Sequence, residues 1–205
     1  LGGEAHRALR QPELKYYLTC AQPRTFTGGW TYTLPDWMVD GDTIDVAVNG
    51  GGGGGSGAVH RANGVGGYAG AWATQTPTLG TDITSGTTTL TVYVGHGGFG
   101  GGSNGTSGGA GEASYVSGAG FATITAAGGL PRVYATDHGH WWGDASTGVT
   151  LNDYFYYGGG EQNAIHRDGN SPGGGASGGY GDYQYGSPGG FGADGGGYLM
   201  ARQAE

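Results

Sequence analysis

The chain holds one cysteine, Cys20, so no internal disulfide framework can brace it. Charge is sparse as well: 12% of the residues are Asp, Glu, Lys or Arg, and the net charge is −8. Residues 1–24 carry Arg7, Arg10, Lys15 and Arg24 against Glu4 and Glu13, while the remainder carries four arginines against 14 acids. A body of that sign repels phosphate, which excludes nucleic acid as its partner. No apolar run approaches the roughly 18 residues a membrane-spanning helix needs. The start shows no basic stretch followed by a short apolar core, so no secretory signal is expected there. Large apolar side chains of the usual core are few: Leu, Ile, Val and Phe together make up 29 of 205 residues, a level that flags disorder.

Against those shortages stand 24 aromatic residues and 52 glycines. So many rings, on a chain of so little charge, do not belong to a solvating coil. The expected glycine share is about 7%. Each surplus glycine weakens an ordered element by about 0.5–1 kcal/mol relative to Ala, so the chain must recover stability elsewhere. Close backbone packing, dense main-chain hydrogen bonding and subunit association are the means available. The glycines are also uneven, with five in residues 1–49 and the other 47 in residues 50–205.

Residues 1–24 read as an N-terminal arm and residues 25–205 as one glycine-rich β domain. In the arm, 4–10 could form a short helix that Pro12 limits. Leu14, Tyr16, Tyr17 and Leu18 then offer apolar surface for docking. From Thr25 the pattern has period two. Trp30, Tyr32 and Leu34 share a face, as do Ile44, Val46 and Val48, with Thr43, Asp45 and Ala47 opposite on a half-buried strand. Residues 68–76 alternate around Trp72. Leu90, Val92 and Val94 point inward and Thr89, Thr91 and Tyr93 outward. With 113–117, 121–126 and 198–202 the strands number about seven. Beyond the arm there is no 3.6-residue stripe. Short strands joined by glycine-rich turns predict an all-β sandwich or jelly-roll-like body.

The glycine tracts admit two readings. Residues 97–111 could be a flexible linker. Alternatively, 50–57, 95–111, 173–181 and 186–197 could be passes of a polyproline-II-type bundle, with three residues per turn and no internal hydrogen bonds. Only glycine lets such backbones approach closely enough to bond to one another. Collagen is excluded, because the run at 50–55 breaks any Gly-X-Y period.

Motifs of chemistry are weak. The strand at 44–48 followed by glycines imitates a dinucleotide fingerprint, yet no helix follows. Residues 101–105 match G-x-S-x-G literally and lack the strand and helix of a nucleophile elbow. Asp137-His138-Gly139-His140 is the best metal-like cluster, with His138 and His140 on one side of an extended chain; Asp144, His166 or Asp168 would have to complete it. A polar surface loop explains the same residues, and no metal or cofactor is expected. Asp36, Asp40, Asp42 and Asp45 lack EF-hand spacing. Trp141, Trp142, Tyr154, Phe155, Tyr156 and Tyr157 are the densest aromatic segments. They suit a contact surface for carbohydrate or protein, or else the core that the glycines cannot supply.

Four stretches together resemble the glycine-rich minor tail proteins of bacteriophages, particularly phages of mycobacteria and related actinobacteria. They are Thr25-Phe26-Thr27 through Trp30 to Pro35, with Ile44-Asp45-Val46-Ala47-Val48 and the Gly50–Gly55 run; Gly66 to Thr76 with Gly80-Thr81-Asp82-Ile83; Leu90 to Gly95 opening onto Gly97-Gly98; and Gly169 to Gly175 with the closing strand Gly197 to Arg202. The resemblance implies a virion component of the tail tip, associated with other tail proteins as a homo-oligomer, a trimer by preference. It implies contact with the host surface, glycan or lipid, and no catalysis. Under that reading Leu14, Tyr16, Tyr17 and Leu18 anchor the protein to the tail. A loop bearing Trp141, Trp142, Tyr154, Tyr156 and Tyr157 meets the host or a neighbouring subunit. The segment 130–163 departs from the family pattern. Two rivals stay open: a metal-dependent tail enzyme that degrades cell envelope, and a purely architectural subunit that touches no host. A glycine-rich wall protein is disfavoured by the absence of simple repeats.

Overall fold

The computed structural model describes residues 13–17, 29–133, 140–182 and 185–204. Ten strands run in chain order: β1 (Glu13–Tyr17), β2 (Trp30–Thr33), β3 (Thr43–Asn49), β4 (Trp72–Gln75), β5 (Thr89–Tyr93), β6 (Ser114–Gly118), β7 (Phe121–Ala126), β8 (Val149–Leu151), β9 (Tyr154–Tyr156) and β10 (Gly196–Arg202). The described residues contain no helix, and the fold is all-β. One sheet has the order β1-β10-β3-β4 and a second β2-β5-β6-β7, all antiparallel, while β8 and β9 form a separate hairpin. The two four-stranded sheets pack face to face. Ile44, Val46, Val48 and Leu199 from the first meet Tyr32, Leu90, Val92, Val116 and Ile124 from the second in one buried cluster. This is the sandwich that the period-two pattern predicts.

The strand β3 departs from the half-buried expectation. Asp45 and Ala47, predicted to face outward, are 0% exposed. The β8–β9 hairpin lies over that outer face and encloses a second cluster of Ala47, Tyr156, Tyr198 and Met200, flanked by Trp72, Val149 and Leu151. The hairpin turns through Asn152 and Asp153, whose φ angles of 46° and 62° suit a two-residue type I′ connection.

The remaining body is built of glycine tracts, and its organisation is visible in the hydrogen bonds of residues 50–58. The amides of Gly50, Gly53 and Ser56 donate to the carbonyls of Ala71, Tyr68 and Val65 at 2.8–3.0 Å. Those of Gly51, Gly54 and Gly57 donate to Glu112, Gly109 and Thr106, and those of Gly52, Gly55 and Ala58 to Ala193, Gly190 and Ser187. Every third residue thus bonds to the same neighbour, and each neighbour runs antiparallel. A strand would send its amides alternately to two sides; a bonding period of three requires three residues per turn, the polyproline-II-type helix. On the acceptor side, Gly98 and Gly101 donate to Gly52 and Gly55, Ala176 and Gly179 to Gly53 and Ser56, and Gly129 to Gly51. Residues 95–102, 173–179 and 127–132 are therefore parallel neighbours. The central pass is enclosed on all sides, and main-chain groups rather than side chains form its interior.

The glycine requirement follows from that spacing. A Cβ built on Gly54 would fall within 3.0 Å of the Phe99 carbonyl oxygen. Ordinary interiors keep such backbones apart with side chains; here the carbonyls themselves fill the space.

Sequence reading placed a single pass at 95–111. The structure divides it into passes at 95–102 and 106–112 joined by a turn at 103–105, where Gly105 has φ +79°. The tract is ordered, not a linker. Residues 64–71, whose Val65, Tyr68, Ala69 and Ala71 look like a strand, and residues 127–132, whose Leu130-Pro131-Arg132 looks like a loop, are passes too. The helix expected at 4–10, and the positions Leu18 and His138, lie outside the described residues.

Sandwich and bundle are continuous. β3 runs into 50–58 at Asn49, β5 into the pass at 95, β7 into 127, while 64–71 enters β4, 106–112 enters β6 and the last pass enters β10 at Gly196. At the junction Ser114 Oγ donates to the Asn49 carbonyl at 2.6 Å and accepts the Gly95 amide at 2.9 Å. The strands β1 and β10 pair with Glu13 opposite Ala201 and Tyr17 opposite Gly197. The Glu13 end of β1 and the Arg202 end of β10 therefore lie together, at the end of the sandwich away from the bundle.

Candidate functional site

Three groups of side chains stand out. The first is a buried carboxylate. Asp45 sits on the outer face of β3 and is fully covered. Its Oδ2 accepts from Arg202 Nε at 2.6 Å and from the Tyr156 hydroxyl at 3.2 Å. Its Oδ1 accepts from Asn152 Nδ2 at 2.6 Å and from Thr76 Oγ1 at 3.2 Å. Arg202 also donates to the Asn152 carbonyl at 3.0 Å. Burial, followed by the Asp45 charge and its hydrogen bond, drives the Tyr156 hydroxyl well above the ordinary tyrosine range, with Arg202 opposing. Both oxygens of this carboxylate are committed to β10, the hairpin and Thr76 at the end of β4, so its chemistry is that of a latch.

The second group is aromatic. The structure distributes the expected contact residues over separate elements. Trp141 and Trp142 lie half-buried on a bundle pass, where the Trp141 carbonyl accepts the Gly178 amide at 2.7 Å and the two rings meet edge to face at 5.8 Å. Arg132, 5% exposed, fixes that pass through Asp144 at 2.6 Å, the Trp142 carbonyl at 3.2 Å and the Tyr68 ring, 4.4 Å away. Tyr154, Tyr156 and Tyr157 belong instead to the hairpin and its exit. Tyr156 is 0% exposed and packs on Tyr198, so its ring is part of the fold; Tyr154 and Tyr157 are exposed. The His140 ring lies 4.0 Å from that of Trp142, tilted by 37°. Leu14, Tyr16 and Tyr17 fall on β1, at the edge of the first sheet. Among the described residues no three His, Cys, Asp or Glu side chains come together as a metal-ligand set.

The third group was not singled out from the sequence. At the bundle end remote from the sandwich, the loop 59–63 is cross-linked to residues 180–182, and these to residues 185–187, by hydrogen bonds. Arg61 donates to the Asp182 carbonyl at 2.8 Å, and Gly181 donates to Asn63 Oδ1 at 3.0 Å. Tyr180 donates its amide to Ser187 Oγ at 2.7 Å, and Ser187 returns a bond to the Tyr180 carbonyl at 2.8 Å. Tyr185 donates to Asp182 Oδ1 at 2.6 Å. These bonds hold Tyr180 and Tyr185 outward, 53% and 74% exposed. The signal in the sequence was a group of three tyrosines, Tyr180, Tyr183 and Tyr185, where one glycine tract gives way to the next.

Elsewhere, Tyr93 stacks on Tyr115 at 5.0 Å and donates to Glu112 at 2.8 Å; that hydrogen bond, with burial, pushes its hydroxyl up to about 12.

The passes, the loops and the strands β2 to β9 fall within one family pattern, which matches residues 24–196. The chain belongs to the glycine-rich domain family. No curated protein matches it. The match to the glycine-rich domain spans the bundle, and in this member most of the described glycines after residue 49 occupy positions where a neighbouring backbone would block a Cβ. No helix among the described residues of the glycine-rich domain is long and apolar enough to cross a membrane.

Proposed function

We propose that this glycine-rich domain is a structural component of a phage tail, a minor tail protein that presents a contact tip to the host surface and carries out no catalysis. The observation that supports this reading is the polarity of the molecule. The outer ends of β1 and β10 mark one end, and the cross-linked loops with Tyr180 and Tyr185 mark the other. Between them stands a bundle whose cohesion is main-chain hydrogen bonding. Large rigid rings on braced loops give contact area at low entropy cost. The similarity to phage minor tail proteins in the strand and glycine motifs supports the same reading. On this account the base docks on other tail proteins as a homo-oligomer, and Trp141, Trp142, Tyr154 and Tyr157 form lateral contacts along the shaft.

The test uses assembled particles carrying Tyr180→Ala with Tyr185→Ala, and separately Trp141→Ala with Tyr157→Ala. Normal incorporation with adsorption reduced by about tenfold or more in the first pair is expected, since hot-spot aromatics contribute 2 kcal/mol or more. Unchanged adsorption in both pairs would favour the purely architectural reading.

A further inference from the structure

Asparagine followed by glycine is chemically labile. The glycine amide nitrogen attacks the asparagine Cγ, a C–N bond forms, ammonia leaves, and water then opens the cyclic imide to aspartate or isoaspartate. The attack needs a free glycine N–H and a side chain free to rotate onto it. The chain contains three such pairs, Asn49-Gly50, Asn63-Gly64 and Asn104-Gly105, and the fold treats them differently.

The Gly50 amide is bonded to the Ala71 carbonyl at 3.0 Å, and Asn49 is fully buried with Nδ2 donating to Gly70 and Ala71. The Gly64 amide is bonded to Gly179 at 2.8 Å, and Asn63 Oδ1 is occupied by the Gly181 amide at 3.0 Å. Asn104 is exposed in the turn at 103–105, and among the described residues neither its side chain nor the Gly105 amide takes part in any of the bundle's hydrogen bonds.

We propose that Asn104 is a spontaneous modification site, converted to aspartate and isoaspartate in the folded protein, while the bundle protects Asn49 and Asn63. The turn lies beside the loop 59–63, since a Cβ on Gly105 would meet Val59 Cγ1. Conversion therefore places a new negative charge, and in the isoaspartyl product a lengthened backbone, at the remote end of the bundle.

The full chain is incubated in mildly alkaline buffer and the three sites are followed by peptide mass mapping and isoaspartate detection. Loss of the amide should be more than about tenfold faster at Asn104 than at the other two, because those must first open bundle hydrogen bonds. In denaturant the three rates should converge. Asn104→Gln should abolish the fast event and leave thermal unfolding unchanged. A native-state rate at Asn49 or Asn63 equal to that at Asn104, an Asn104 that keeps its amide, or a rate difference that persists in denaturant would each overturn the proposal.

Discussion

At the scale of the residue, two glycines separate what packing demands from what composition merely contains. Gly54 sits inside the bundle, where a methyl would strike the Phe99 carbonyl; Gly160 is exposed with no atom within 4 Å of a built Cβ and no positive φ. Gly54→Ala should therefore cost more than about 4 kcal/mol, in the class of large destabilisations tied to a named clash. Gly160→Ala should stay within about 0.5 kcal/mol of the parent. Denaturant melts of both variants check the contrast. The sequence alone does not distinguish these two positions, because a glycine needed for contact and a glycine in a loop are the same letter. It did expose the general need, since a chain so rich in both glycine and rings has to replace side-chain burial with something else. The covered state of Asp45 was hidden for a related reason. Alternation assigns a face to a residue and says nothing about what later lies over that face.

The element that covers it is the β8–β9 hairpin, and it depends on the latch. Asp45→Asn keeps the shape and removes the charge facing Arg202. Breaking a buried pair costs about 3–5 kcal/mol; the lower figure, about 3 kcal/mol, is expected because the Arg202 side chain is 26% exposed. The loss should appear as faster amide exchange across Val149–Tyr156 before any change in the sandwich core. The strands were mostly legible: Thr43–Asn49 and Thr89–Tyr93 follow a period-two pattern in sequence bounded by glycine, and Phe121–Ala126 has strand composition although Phe121 and Ile124, three apart, are both buried. The hairpin was not, since its three-residue strands are too short to show a period and its rings read equally well as surface. The passes at 64–71 and 127–132 were missed because Val65, Tyr68, Ala69 and Ala71 in the first imitate strand composition and Leu130-Pro131-Arg132 interrupts the glycines of the second, and only the bonding directions reveal a three-residue turn.

For the whole molecule, continuity of strand into pass predicts a single cooperative transition. The amides of residues 50–58, each bonded to a neighbour from a different part of the chain, should be among the slowest to exchange and should open only with global unfolding. Hydrogen exchange measured alongside a denaturant melt followed by tryptophan fluorescence checks this. Residues 50–58 exchanging well before the sandwich unfolds would show that bundle and sandwich are independent bodies. The two-sheet architecture was readable from pattern; the end-to-end arrangement was not, because it depends on which distant tracts pair, and identical glycines carry no address.

The three-residue turn gives the molecule a length rule. Adding one or two residues inside a tract such as 50–58 rotates everything downstream by a third or two-thirds of a revolution, so each amide faces the wrong partner. Adding three restores every direction and only shifts the level, which matched additions in the surrounding tracts could absorb. Viable length variants of this chain should therefore cluster at multiples of three amino acids within its tracts, while its loops obey no such arithmetic.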